Sequence, residues 1–403
     1  MSTDEAKTFM ESLAQFDLYD PDLQEDPYPF FTEIRETCPV ARAETYGGFW
    51  LVSRRDDVEF VLMHPEMFSS TEMLIPFYEH PVGRQIPVEI DPPEHTRYRR
   101  GLQRFFTPGD ANRLSPFIEA ECDRLIDPIV AAGECDFVKD FAVPLPTGIF
   151  LHLFDLPADQ LPAFMAYKDA MLHGGLSNDE SMHQQLVEGK NEVAGAFDAV
   201  LEKRRSEGCR GDDIVSKVAR LGEGDDPWTD EEIIRSLLTL MLGSLDTTTS
   251  ALGLTFAYLA ENPSQRDLLV AEPELIPSAV EELLRYESVP YIARKVVEPC
   301  ELGGVNLEPG DMVQLLFGAA GRDPRAFENP DEVQFDRANP HQLTFGMGPH
   351  RCLGIHQARA TLRIALSKWH ARIPRYSVAP GTQVTRRLTH VRGVDNFKVA
   401  VEA

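Results

Sequence analysis

The sequence predicts a mainly α protein with a minor β region, arranged around one long central helix. Three observations carry that reading. Helical stretches clearly outnumber strand-like ones, and a capped apolar run lies near the middle of the chain. No Gly/Ser-rich or Pro-rich linker and no repeat of fixed period divides the 403 residues, so 1–403 is read as one domain.

Along the chain, helices are expected over 27–36, 94–106, 116–132, 184–206, 277–286 and 354–373. Three of these open on Pro, which fits the first helical turn because its missing N–H would be unpaired there anyway. Short strands are expected over 49–53, 296–301, 312–317 and 397–401, where β-branched and aromatic residues gather. Residues 208–227, rich in Gly and Asp, read as a surface loop. The central helix follows it. Thr229-Asp-Glu-Glu232 is a capping-box pattern, and Asn262-Pro263 ends the run after Glu261. Some thirty residues at 1.5 Å each span roughly 45 Å, the width of a whole domain. Apolar side chains occupy nearly every face of its middle, which demands burial on all sides.

Composition narrows the function. Lys and Arg number 39 against 65 Asp and Glu, a formal net charge of −26, which disfavours nucleic acid and anionic membrane surfaces as partners. The N-terminus lacks the basic flank and apolar core of a signal peptide. The central run is long enough to span a bilayer, but Asp246 at its middle would cost about 2.5–3.5 kcal/mol there. A cytoplasmic protein is expected. The six cysteines are scattered with no CxxC, against a zinc ribbon or a disulfide framework.

The stretch Phe345-Gly-Met-Gly-Pro-His-Arg-Cys-Leu-Gly354 is the most informative. Gly346 and Gly348 permit a tight turn with positive φ and a close approach of backbone to a flat ligand. Cys352 stands directly before a helix, where amide dipoles favour thiolate. A thiolate on a rigid loop suits a haem iron, while a buried structural cysteine is the plainer alternative. The pattern FGxGxHxCxG, filled at every fixed position, resembles the haem-binding signature of the cytochrome P-450 family. Further landmarks in the same order extend the resemblance over almost the whole chain, to a soluble bacterial-type member.

That resemblance implies several roles. Cys352 would be the axial ligand of haem b, with Phe345, Gly346 and Gly354 shaping its loop. Glu282-Leu-Leu-Arg285 resembles the family's buried Glu–Arg pair, which Arg337 would complete. Gly243-Ser-Leu-Asp-Thr-Thr248 resembles the oxygen-activation segment: Thr247 would hydrogen-bond dioxygen and Asp246 would belong to the proton relay. Ser244 departs from the usual glycine. His95, Arg99, Arg294 and His350 match contacts to the haem propionates. The implied reaction inserts one oxygen atom of O2 into a small hydrophobic substrate. Electrons would come from NAD(P)H through an acidic ferredoxin and its reductase, docked on arginines such as Arg100, Arg104, Arg113 and Arg351. The protein would act as a monomer. Leu74, Phe77, Tyr78, Leu242, Gly243, Val289, Ile292 and Val394 are the expected pocket residues. A peroxide-using or isomerising haem-thiolate enzyme, or a non-catalytic haem sensor, are the rival readings.

Overall fold

The computed structural model describes residues 3–76, 83–173, 180–338 and 340–402. The central helix is Asp230–Glu261, and its capping box forms as expected. Thr229 Oγ1 accepts the Glu232 N–H, and the Glu232 carboxylate accepts the Thr229 N–H at 2.7 Å. Twenty of its 32 residues are buried, so a helix long and apolar enough to cross a membrane is enclosed by protein instead. Its first half packs against Phe150, Phe164 and Phe197, and its second half against an aromatic cluster of Phe137, Phe141, Trp369 and Tyr376. Gripped at both ends, the helix carries its middle turns past an internal cavity.

The minor β region is a five-stranded sheet in the order Val40–Ala43, Phe49–Val52, Met312–Leu315, Ala293–Val296, Phe68–Ser69. Only the Phe49–Val52 and Met312–Leu315 pair is parallel. Among the described residues, three further small sheets use strands of three or four residues, including Lys398–Val401.

Several expectations need correction. The helix expected from 116 begins at Pro108, because Thr107 and Asp110 form a second capping box and Pro116 is absorbed inside its 25 residues. A helix at Pro144–Phe154 went unpredicted: its two prolines fall in the first turn, where they are tolerated. Within 208–227, Asp213 caps a short helix, Ile214–Ala219, whose Ile214, Val215 and Val218 are buried. The strand expected over 296–301 is two strands, Ala293–Val296 and Cys300–Leu302, in different sheets. Pro299 lies between them and cannot donate to a ladder.

Glu282 and Arg285 on the helix Ile276–Tyr286 are fully buried. Arg285 Nε and Nη2 donate to the two Glu282 oxygens at 2.8 Å, and Arg337 Nε lies 3.1 Å from both. The arginines spend their other donors on the irregular chain between them, at the carbonyls of Gly321, Glu328, Pro330 and Glu332. Glu282→Ala would strand two guanidinium groups and should lower stability by about 3–5 kcal/mol. The urea midpoint of the purified variant measures this; a loss below about 1 kcal/mol would mean that water or a neighbour takes over the carboxylate's part.

Candidate active site

The cysteine loop is built by backbone geometry. Gly346 and Gly348 both adopt φ near +65°, and a Cβ on Gly348 would meet the Leu62 carbonyl at 2.6 Å. The Cys352 N–H donates to the Phe345 carbonyl at 2.8 Å, closing the loop. Thr344 Oγ1 donates to the Leu284 carbonyl at 2.7 Å, fastening the loop to the Glu282 helix. The helix Ile355–Arg372 follows directly.

Cys352 opens onto a cavity of about 350 Å³ whose other wall is the central helix. Phe345, Gly346, Gly354, His95, Arg99, His350, Gly243, Thr247, Val289 and Ile292 line it, together with residues the sequence had not singled out. Pro87, Val88, Phe150, Leu153, Thr239 and Leu240 belong to that second group. Phe150 and Leu153 come from the unpredicted helix, and no motif marks the others. Leu74, Leu242 and Val394 do not line the cavity. Leu74 and Leu242 are buried, the latter among the side chains of the first-half core, and Val394 packs 3.2 Å from where a Cβ on Gly253 would stand. Phe77 and Tyr78 lie outside the described residues.

The cavity's charged end is positive. His95 and His350 lie with ring centroids 4.3 Å apart and ring planes tilted by 49°, and among the described residues neither Nε2 has a hydrogen-bond partner. Burial and Arg99 hold His95 down to about 4, partly offset by Asp91. His350 is held down to about 2 by burial, Arg294, His95 and Arg99. Arg294 is 3% exposed, donates to its neighbouring Ala293 carbonyl, and is lowered to about 10 by burial. Burial lowers Arg99 as well. Such a cluster calls for anions.

The sequence placed Cys352 where thiolate should be favoured. Burial overrides this: it pushes the thiol up, while the Gly354 N–H and Arg99, Arg351 and Arg359 pull it back only in part. A cation at the sulfur would restore the thiolate. An apolar cavity with one thiol wall, the unpartnered Nε2 atoms of His95 and His350 and the Arg99 guanidinium at one end, and open space beside Gly354 and Gly243 fits haem b.

On the central helix, Thr247 Oγ1 faces this cavity and donates to the Gly243 carbonyl at 2.9 Å, leaving its lone pairs available. Ser244 Oγ donates to the Met241 carbonyl at 3.0 Å, so the residue that departs from glycine spends its hydroxyl on its own helix. Asp246 is 1% exposed and absent from the cavity wall. Its carboxylate is paired with Lys168 at 3.1 Å and Arg387 at 3.6 Å, two partners from distant segments that sequence reading missed.

The comparisons with known proteins agree with this geometry. The cytochrome P-450 family model matches residues 163–389. Cytochrome P-450 127A1 of Sinorhizobium fredii is 33% identical over 87% of this chain and 83% of its own length. The vitamin D(3) 25-hydroxylase of Pseudonocardia autotrophica is 29% identical over 96% of both chains. A Bacillus megaterium cytochrome P-450 solved with testosterone superposes with a TM-score of 0.86, at 28% identity over 94% of this chain and 98% of that one. The chain belongs to the cytochrome P-450 family. It is a haem-dependent monooxygenase that uses O2.

The sign of one pH effect follows. Above about pH 6.5 neither folded nor unfolded His95 carries a proton, but below it only the unfolded chain takes one up. Stability of the haem-free protein should therefore fall from about pH 6.5 to about pH 4. His95→Gln should flatten part of that slope in melting temperatures of the apoprotein; identical slopes would remove His95 as a contributor.

Proposed function

We propose that this enzyme oxidises a small, predominantly apolar organic substrate, yielding alcohols, epoxides or dealkylated products. The observation that carries the reading is the chemistry of the cavity wall. Its substrate-facing surface is aliphatic and aromatic, and of its hydroxyls those of Ser244 and Thr247 are already donated to the central helix. A polar substrate would lose its water there without replacement. Apolar ligands of similar proteins support this: one is a vitamin D(3) 25-hydroxylase, and another was solved in complex with testosterone.

Bound haem supplies the activation of O2, helped by electron donation from the cysteinate. The protein's residues do the rest. Cys352 holds the iron, in a loop shaped by Phe345, Gly346 and Gly354. His95, Arg99, Arg294 and His350 hold the propionates through charge-assisted hydrogen bonds. Thr247 offers a hydroxyl oxygen inside the cavity. Asp246, one residue away and joined to Lys168, whose other partner is the exposed Asp169, links that turn to solvent protons.

Electrons would come from NAD(P)H through an acidic ferredoxin and its reductase. Arg100, Arg104 and Arg351 are exposed near the cysteine loop, whereas Arg113 is engaged with Asp110. Arg351, Arg359, Arg363, His341 and His356 also surround a surface cleft of about 440 Å³, where Glu281 is the acidic wall. Opposite charge speeds such encounters. We place the enzyme in the cytoplasm as a monomeric haem domain, with no nucleic-acid or membrane partner. Burial of the central helix supports that reading.

Reduced protein under carbon monoxide should give the red-shifted Soret band of thiolate-ligated haem, and Cys352→Ala should abolish it. A histidine-type band in the wild type would overturn the assignment. In turnover with ferredoxin and reductase, Thr247→Ala should lower product formed per NAD(P)H by about tenfold or more, and Arg351→Gln should slow reduction in a salt-dependent way. Turnover with peroxide but never with ferredoxin and reductase would favour a peroxide-using enzyme.

A further inference from the structure

The segment between Ser70 and Asp91 brings Pro87 and Val88 to the cavity wall, and its two ends meet at one carboxylate. Asp91 Oδ1 accepts the Ser70 N–H at 2.8 Å, and Oδ2 accepts the Ser69 hydroxyl. The Asp91 carbonyl accepts the His95 N–H at 3.0 Å, so the same residue opens the helix Glu94–Gln103. Ser69 pairs across the sheet with Lys295, next to Arg294. Asp91 thus joins three things: the start of the segment, its end, and the helix that carries His95 and Arg99. It is also the carboxylate whose charge offsets the lowering of both His95 and Arg294.

Other ties run along the segment. The Ala293 N–H donates to the Met73 carbonyl at 2.8 Å, and Lys295 pairs with Glu72 at 2.5 Å. The Gln85 N–H donates to the Glu89 carboxylate at 2.6 Å, and Ile86 and Ile90 are buried in the core beside the central helix. These fix the two limbs separately. Among the described residues, Asp91 is the side chain seen bonding one limb's origin to the other's end.

We propose that Asp91 is a positioning residue for substrate selection, holding Pro87 and Val88 at the cavity wall by binding the Ser69 hydroxyl and the Ser70 N–H across the base of the segment. A charged acceptor taking two such bonds at one point sets where the wall stands. Losing it releases the wall and leaves the Ser70 N–H unpaired. Pro87 and Val88 are then held against the central helix only through Ile86 and Ile90, and the wall they form can shift relative to the Ser70 end of the segment. The proposal rests on the haem-thiolate reading, because the space it shapes is the substrate side of that cavity.

The test uses haem-loaded enzyme and two azole probes read by visible difference spectra. Imidazole is small enough to bind the iron without reaching the far wall, whereas ketoconazole must pass it. Asp91→Ala should change the ketoconazole dissociation constant by roughly tenfold or more while imidazole stays within about twofold. Ser69→Ala, which spares the Ser70 bond, should give a smaller change of the same kind. In the double variant the two effects should be non-additive. Equal shifts for both probes, or no shift for either, would overturn the proposal; if Asp91→Ala fails to load haem, the same criteria apply to Ser69→Ala and Asp91→Asn. A wild-type protein giving no azole spectrum would instead overturn the haem-thiolate reading itself.

Discussion

The buried carboxylate of Glu282 is the point from which the rest of the cysteine side is hung. Residues 321–334 run without long regular structure, so their carbonyls need donors from elsewhere. Arg285 and Arg337 supply those donors, and the one anion they share compensates their charge. The Gln334 N–H completes the set on the same carboxylate at 2.9 Å. The chain leaving this knot runs directly into Leu343 and Thr344 and then the loop that presents Cys352. The approach to the cysteine loop is thereby set by an irregular segment, because one ion network substitutes for a ladder.

The charge distribution inverts the impression given by the total. A chain of net charge −26 keeps Arg35, Arg266, Arg285, Arg294, Arg322 and Arg392 almost wholly buried. Most have a structural anion or carbonyl. Arg322 lies over the rings of Tyr28 and Tyr286 and close to Glu287, and Arg392 donates to the same Glu287. Arg294 is different: among the described residues it forms no ion pair, donates to the neighbouring Ala293 carbonyl, and lies within the electrostatic reach of His350. That difference marks the place where an external anion belongs.

Much of this was legible in the sequence where a short motif carries its own geometry. The capping box at Thr229, the glycines around Cys352 and the Glu282 and Arg285 spacing each state a local constraint, and all are formed. Partners that depend on tertiary approach were not legible. Nothing near Lys168 or Arg387 announces that both will meet Asp246. The thiol at Cys352 was misjudged because a helix-start argument counts dipoles and omits the burial that three-dimensional packing adds. Prolines misled twice in opposite directions, at 116 and at 144–146, since their effect depends on which turn of the helix they occupy. Val394 looked like a pocket residue by position, yet the glycine opposite it on the central helix lets it close into the core.

The unpartnered imidazole nitrogens of His95 and His350 at the cavity also bear on how the protein is made. Bound prosthetic group would give those buried polar atoms partners, and so favour the haem-loaded fold over the unfolded chain. Whatever binds only the folded form raises its population by mass action. Cellular supply of iron porphyrin would then govern not just how many copies are active but how many survive proteolysis.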